Sequence, residues 1–230
     1  METKRRVLLL GDSIAFSRSN HAQIFSDAWP VKVKEALPDY DIWQRCRPAA
    51  TILEVKNEFG LFKSHIAEFS PVIIQVGITD ACPRPFPYLF QRLLSMFASP
   101  EVLRWIGSRY HRLLKFRSRP WISEQEFQSI FRGILEEILS INMKCQIGVV
   151  RIVDAGPSLV EKVSQIQVFV NRYNSIIECV TGAIQDTTRA TFLNPFVGED
   201  VSSLLLPDGH HLSAHGHTLV ARAVVDFLSR

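Results

Sequence analysis

The feature that most limits what this chain can fold into is a rhythm. Short β-rich apolar runs alternate with longer segments whose apolar residues recur at helical spacing, the pattern of a parallel sheet covered by helices. Strands are predicted at Arg6–Leu10, Asp41–Arg45, Val72–Val76, Gln146–Val153 and Thr191–Asn194. Helices are predicted at Ala28–Ala36, Ile52–Glu68, Ser123–Ile141 and Ser158–Ile184, the third opened by a capping box of Ser123 and Glu126. A last helix begins near Ser213 or Ala214 and runs to Leu228, burying Leu219, Val220, Ala223, Val224 and Phe227. The expected class is therefore α/β: a three-layer α/β/α sandwich around a five-stranded parallel sheet. A length of 230 residues suits a single domain over 1–230, and 47% hydrophobic against 21% charged residues is enough to bury a sizeable core.

The same bulk properties exclude several classes. A net charge of +3 makes no case for nucleic acid. Met1–Arg6 is basic, but the apolar run after it, Val7–Leu10, is too short for a secretory signal. No stretch approaches the roughly 18 uninterrupted apolar residues of a membrane span. A soluble, cytoplasmic protein without a transmembrane segment is expected. Cys46, Cys82, Cys145 and Cys179 are scattered without a CxxC pair, which favours reduced, mostly buried thiols over a zinc knuckle or a disulfide framework.

One segment breaks the rhythm. From Ala81 to Ile122 a Pro-rich turn, Pro83 to Pro87, leads into two amphipathic stretches, read as a helical insertion at about 81–122. Leu89, Phe90, Leu93, Leu94 and Phe97 share one face, and Val102, Leu103, Ile106, Tyr110, Leu113 and Leu114 another. Against them stand Arg84, Arg92, Arg104, Arg109, Arg112, Lys115, Arg117 and Arg119, with Glu101 as the acid. The expectation is a cap whose apolar faces pack on each other or on a site rim. Its arginines would face an anionic glycan, an acidic partner or a membrane surface, or simply solvent.

Two short motifs carry chemistry. Gly11-Asp12-Ser13 follows the first strand, where a parallel sheet collects its reactive groups. Alone it is a weak signal, better read as a solvated turn. Near the other end, Asp208-Gly209-His210-His211-Leu212-Ser213 supplies what a serine nucleophile lacks: a histidine to take its proton and a carboxylate to orient that histidine. The competing arrangement is a metal site, since His210, His211, His215 and His217 crowd around Asp208. It is disfavoured because Ser213 reads as an N-cap, leaving His211 in the loop and His215 on the helix; His215 and His217 then form a polar first turn.

These two blocks resemble the first and last blocks of the SGNH/GDSL hydrolases, and the order of elements between them fits nearly the whole chain. The resemblance implies a flavodoxin-like sheet and a catalytic triad of Ser13, His211 and Asp208. It also implies an oxyanion hole in which the family normally uses a glycine after strand two and an asparagine after strand three. Here the second block reads Arg47-Pro48-Ala49-Ala50-Thr51 and the third Gly77-Ile78-Thr79-Asp80. Ala49, with Ala50 as the alternative, matches the glycine and Thr79 stands at the asparagine. The expected oxyanion donors are thus the amides of Ser13 and Ala49 and the side chain of Thr79, with Asp12, Asp80 and His210 near the substrate. Alanine keeps the donating N–H provided the turn does not demand a positive φ. The implied activity is hydrolysis of small acyl esters, acetyl groups on sugars or glycans among them, with no metal or organic cofactor. Acyl transfer through the same intermediate is one alternative, and a degenerate domain that binds an acylated ligand or partner without turnover is another.

Overall fold

The computed structural model describes residues 5–114, 119–184 and 189–230. Five strands, β1 (Arg5–Gly11), β2 (Tyr40–Cys46), β3 (Val72–Gln75), β4 (Ile147–Val150) and β5 (Ala190–Leu193), form one parallel sheet in the order β2-β1-β3-β4-β5. Buried on both faces, the central strands read as continuous apolar runs, Val7 to Leu10, Val72 to Ile74 and Ile147 to Val150. The helices are α1 (Trp29–Ala36), α2 (Ile52–Phe62), α3 (Ile78–Ala81), α4 (Tyr88–Phe97), α5 (Pro100–Ser108) and α6 (Tyr110–Leu114), followed by α7 (Glu124–Ile141), α8 (Pro157–Lys162), α9 (Ile166–Gly182), α10 (Val201–Leu204) and α11 (Ala214–Leu228). α1 packs with α11, and α7 with α2 and α9, so the sheet is covered on both faces. Because the chain leaves β1 for β2 on one side and returns to β3 on the other, a crevice opens beyond the carboxyl ends of β1 and β3.

Several boundaries differ from the sequence reading. β4 was expected to run to Val153 but ends at Val150, because the Asn174 side chain takes both the N–H and the C=O of Ile152, each at 2.9 Å, in place of a ladder partner. The helix expected over Ser158–Ile184 is broken between Lys162 and Ile166. Gly11, at the end of β1, permits a close approach, since a Cβ there would lie 2.6 Å from the Gln75 carbonyl. The four cysteines are free thiols, but they are not mostly buried: Cys145 is buried, Cys46 and Cys82 are half-buried and Cys179 is exposed.

The insertion is helical, but much of its apolar surface does not pack as expected. Leu89, Phe90, Leu93 and Phe97 of α4, and Val102 and Leu103 of α5, remain exposed, with Phe97 at 78%. Tyr88, whose ring meets Trp121 at 5.3 Å, and Leu114 tie the segment to the core. Arg92, Arg104, Arg109, Arg112 and Arg119 are exposed and Arg84 is half-buried; Lys115 and Arg117 lie outside the described residues.

His217 is the other correction. It was expected on a polar first turn, yet α11 buries it completely along with Val220, Ala221, Val224 and Phe227, while Leu219 and Ala223 are half-buried. Its Nδ1 accepts the Trp29 backbone N–H at 3.3 Å, which fixes the Nε2–H tautomer, and Nε2 has no partner among the described residues. Burial pushes its pKa down to about 4. The unfolded chain therefore takes up a proton near pH 6.5 that the folded protein refuses until about pH 4. The stability contributed by neutral His217 is full above pH 6.5 and is lost on acidification towards pH 4, by on the order of 3 kcal/mol. Asp12 acts in the opposite sense, because burial raises its carboxyl to about 7 and the folded state then holds the extra proton. The wild-type curve alone therefore mixes the two. Denaturant titrations of wild type and His217→Gln should show the gap between them narrowing by about 2–3 kcal/mol from pH 7 to pH 4.5. A gap that does not change with pH contradicts this account of His217.

Candidate active site

The Gly-Asp-Ser block leaves β1 and enters a single 3-10 turn, Ser13–Ala15, with Asp12 as its N-cap. Asp12 Oδ1 accepts the Ile14 N–H at 2.9 Å, which turns the chain and points Ser13 into the crevice. At the other end, a bridge between Leu205 and Leu212 and the bond from Leu206 N–H to the His211 carbonyl (2.8 Å) pinch the Asp208 to His211 loop. Gly209 is required there. It sits at φ +81°, and a Cβ would lie 2.8 Å from the Leu159 nitrogen. Ser213 caps α11 by accepting the Gly216 N–H at 3.1 Å, so the loop ends where the sequence predicted. Gln23 fastens the two ends of the chain together, donating to the Leu212 carbonyl at 2.9 Å and accepting the Arg18 N–H at 2.7 Å.

Ser13 Oγ lies 3.2 Å from His211 Nε2, and His211 Nδ1 lies 2.7 Å from Asp208 Oδ2. Asp208 Oδ1 also accepts the N–H groups of His210 (3.1 Å) and His211 (3.0 Å). Burial pushes the Asp208 carboxyl up, but the hydrogen bonds from the His211 ring and the two amides outweigh it and hold the group well below the usual carboxylate range. An ionised carboxylate on Nδ1 fixes the tautomer that leaves the Nε2 lone pair available to a hydroxyl.

A cavity of about 440 Å³ opens over this chain of contacts, lined by Ser13, Ala49, Thr79, Asp208, His210 and His211 among others. The sequence reading therefore brought these six together. It did not do so for Asp12 and Asp80, which are buried beneath the crevice and serve the fold: Asp80 Oδ1 accepts the Ile52 N–H at 2.9 Å at the start of α2. Burial holds the Asp80 carboxyl well above its ordinary range, and neither acid lines the cavity.

Ala49 departs from the expectation in an informative way. It adopts φ +57°, whereas Ala50 does not adopt a positive φ, so the turn has the left-handed geometry that suits glycine and fills it with alanine. Among the described residues nothing accepts from the Ser13 or Ala49 amides, and nothing engages the Thr79 hydroxyl. Left-handed backbone costs a residue with a Cβ roughly 1–2 kcal/mol, and the extra freedom of unfolded glycine returns roughly 0.5–1 kcal/mol of that. Ala49→Gly should accordingly stabilise the protein by about 0.5–1 kcal/mol, raising Tm by about 1–4 °C in a thermal melt. A lower Tm would mean that the turn is not strained.

Three of the candidate metal ligands also meet here, since donor atoms of Asp208, His210 and His211 lie within 4.8 Å of one another. The wider histidine cluster does not assemble: His215 contacts Glu199 at 3.1 Å and His217 is in the core. The sequence reading missed Arg18, whose guanidinium contacts His211 Nε2, and His21, whose Nε2 is 3.9 Å from Asp208 Oδ2. It also missed Leu159, Lys162 and Val163 of the cavity wall.

No protein-family model matches the sequence, and neither does any curated protein. Solved structures do match in fold. A lipase/acylhydrolase from Enterococcus faecalis superposes with a TM-score of 0.66 at 16% identity, covering 97% of this chain and 95% of that one. A carbohydrate acetylesterase from Sinorhizobium meliloti gives 0.63 at 15% identity over 98% and 99% of the two chains. A member of the lipolytic G-D-S-L family from Veillonella parvula gives 0.60 at 8% identity over 98% and 99%. The chain has the fold of the SGNH/GDSL hydrolases. Among the described residues, no helix is long and apolar enough to cross a membrane.

Proposed function

We propose that the protein is a serine esterase acting through an acyl-enzyme on Ser13. The observation that carries this reading is the unbroken line of contacts from Ser13 Oγ through His211 to Asp208 on the floor of a cavity large enough for a small ester. Ser13 Oγ attacks the acyl carbon as its proton passes to His211 Nε2. Asp208 stabilises the imidazolium, and the amides of Ser13 and Ala49 with the Thr79 hydroxyl hold the oxyanion. His211 returns the proton to the departing alcohol, and water then repeats the sequence to release the acid. A second alcohol in place of water would give acyl transfer. Small acyl esters, including acetyl groups on sugars, are the proposed substrates, in keeping with the lipase/acylhydrolase and carbohydrate acetylesterase that share the fold. A screen of p-nitrophenyl esters of increasing chain length against acetylated sugars, with and without a chelator, tests this. Loss of hydrolysis on chelation would transfer the role to a metal on Asp208, His210 and His211.

Residues 1–230 are read as one such domain, with the helices between 81 and 122 as a cap. The second functional reading, a domain that binds an acylated ligand without turnover, is favoured by the altered second and third blocks and disfavoured by the intact histidine and carboxylate.

The outward apolar and arginine side chains of α4 and α5 together support docking on an anionic lipid surface, which uses both at once. A second copy would set arginine against arginine. Sedimentation with phosphatidylcholine vesicles containing anionic phosphatidylglycerol should exceed that with phosphatidylcholine alone, and Leu93→Glu with Phe97→Glu should reduce it at least tenfold. No sedimentation with anionic vesicles at low salt would end this reading.

A further inference from the structure

A second donor stands on the imidazole nitrogen that Ser13 needs. The Arg18 Nη2 group contacts His211 Nε2, beside the Ser13 hydroxyl at 3.2 Å. A neutral imidazole nitrogen has one lone pair, and a guanidinium is a permanently charged donor that accepts nothing. While Arg18 holds that lone pair, the serine proton has no acceptor. Arg18 is also poorly compensated where it lies: among the described residues its buried Nε has no partner, and Asp208, the sole carboxylate lining the cavity, is engaged by His211. Arg84 and Lys162 line the same cavity, so its positive charge exceeds its negative.

The position of Arg18 says which half of an ester it would meet. In acyl transfer the Oγ–acyl bond forms as the serine proton moves to Nε2. The ester C–O bond then breaks, and the same proton passes from Nε2 to the departing alcohol oxygen. Apart from Oγ, the group that comes within hydrogen-bond distance of Nε2 is therefore the alcohol, and Arg18 occupies the alcohol's place.

We propose that the alcohol half of the substrate carries a compact anion, a carboxylate or a phosphate, that draws the Arg18 guanidinium off His211. The proposal rests on the esterase reading above. The anion forms charge-assisted hydrogen bonds to Arg18, which are stronger than the bond to a neutral imidazole, and Lys162 and Arg84 add to the attraction. Binding the correct alcohol thus releases the lone pair that activates Ser13. A neutral alcohol must displace a guanidinium that has nowhere better to go. The substrates this favours are O-acyl groups on acidic sugars, hydroxy acids or phosphorylated alcohols.

The test compares three aryl acetates of matched shape: 4-acetoxybenzoate, 4-acetoxyphenyl phosphate and the neutral 4-acetoxybenzamide. Wild type should hydrolyse at least one anionic ester with a kcat/KM at least tenfold above that of the amide, and which one identifies the anion. Arg18→Met should remove that preference while raising turnover of the neutral amide severalfold, because the lone pair is released. Arg18→Lys, which keeps the charge, should retain part of the preference and guards against misfolding of the first variant. Mono-p-nitrophenyl succinate, whose charge is on the acyl half, should gain nothing over p-nitrophenyl butyrate. Equal rates on the three acetates, or a preference that survives Arg18→Met, overturn the proposal.

Failure of the esterase reading would look different, as an absence of hydrolysis of every ester. The anion site is then read by calorimetry with 4-hydroxybenzoate and 4-hydroxyphenyl phosphate against 4-hydroxybenzamide. Binding of an anion that Arg18→Met abolishes sustains the site, and no anion binding in wild type removes it.

Discussion

Ser13→Ala and His211→Ala should each lower ester turnover by about 10⁴- to 10⁶-fold, and the double variant should be little worse than either. The reason is that in the proposed mechanism the three groups act as one device. Without His211 the Ser13 hydroxyl keeps its proton, without Ser13 there is no hydroxyl to attack, and in either case the residual rate comes from binding and oxyanion stabilisation alone. Asp208→Asn should be less severe, because the amide still fills the space beside His211 Nδ1 while losing the charge that steadies the imidazolium. The loop itself should survive that change, since the Asn side-chain oxygen can still accept the two backbone N–H groups that Asp208 Oδ1 now takes. Additive losses in the Ser13/His211 double variant, or a His211→Ala protein with most of its activity, would show that the residues do not work together. Each variant is measured by initial rates on p-nitrophenyl acetate at equal folded concentration.

Thr79→Val should lower turnover by roughly 10- to 100-fold with little change in KM. Valine keeps the shape of threonine and deletes the hydroxyl, which no group among the described residues engages and which lines the cavity beside Ser13 and Ala49. A donor that serves the oxyanion is used in the transition state more than in the bound ester, so its removal appears in kcat. The loss should fall short of the full cost of a well-placed donor, because threonine is shorter than an asparagine and carries one donor hydrogen. Thr79→Asn should raise activity. If Thr79 merely supports the α3 turn, Thr79→Val lowers stability and leaves turnover per titrated Ser13 unchanged.

The sheet was legible because each central strand is an unbroken apolar run between longer periodic segments, and both faces of those strands are buried. Ser13, His211 and Asp208 were legible because local geometry sets each block: a serine just past a strand, and a carboxylate three residues before a histidine. What escaped depends on contacts that local spacing does not encode. Arg18 reaches His211 across 193 residues of sequence, and nothing around it marks the reach. Asp12 and Asp80 look like site acids beside their motifs, but each is buried beneath the cavity with one oxygen accepting a backbone N–H. His217 had a readable signal that polarity obscured: it precedes Val220, Ala221 and Val224 at helical spacing, so the stripe buried in the core begins one turn earlier than its apolar residues suggest. The strain at Ala49 was hinted at only by the resemblance, which puts a glycine there, because alanine by itself does not signal a positive φ.

The central claim is that Ser13 is a nucleophile activated by His211. Mass spectrometry of the intact protein after exposure to a fluorophosphonate ester, with peptide mapping of the adduct, tests it without knowledge of the substrate. The account predicts one adduct per chain, on Ser13, absent from Ser13→Ala and formed at least a thousandfold more slowly in His211→Ala. No adduct between neutral and mildly alkaline pH, or an adduct on Ser13 that forms equally fast without His211, would contradict it.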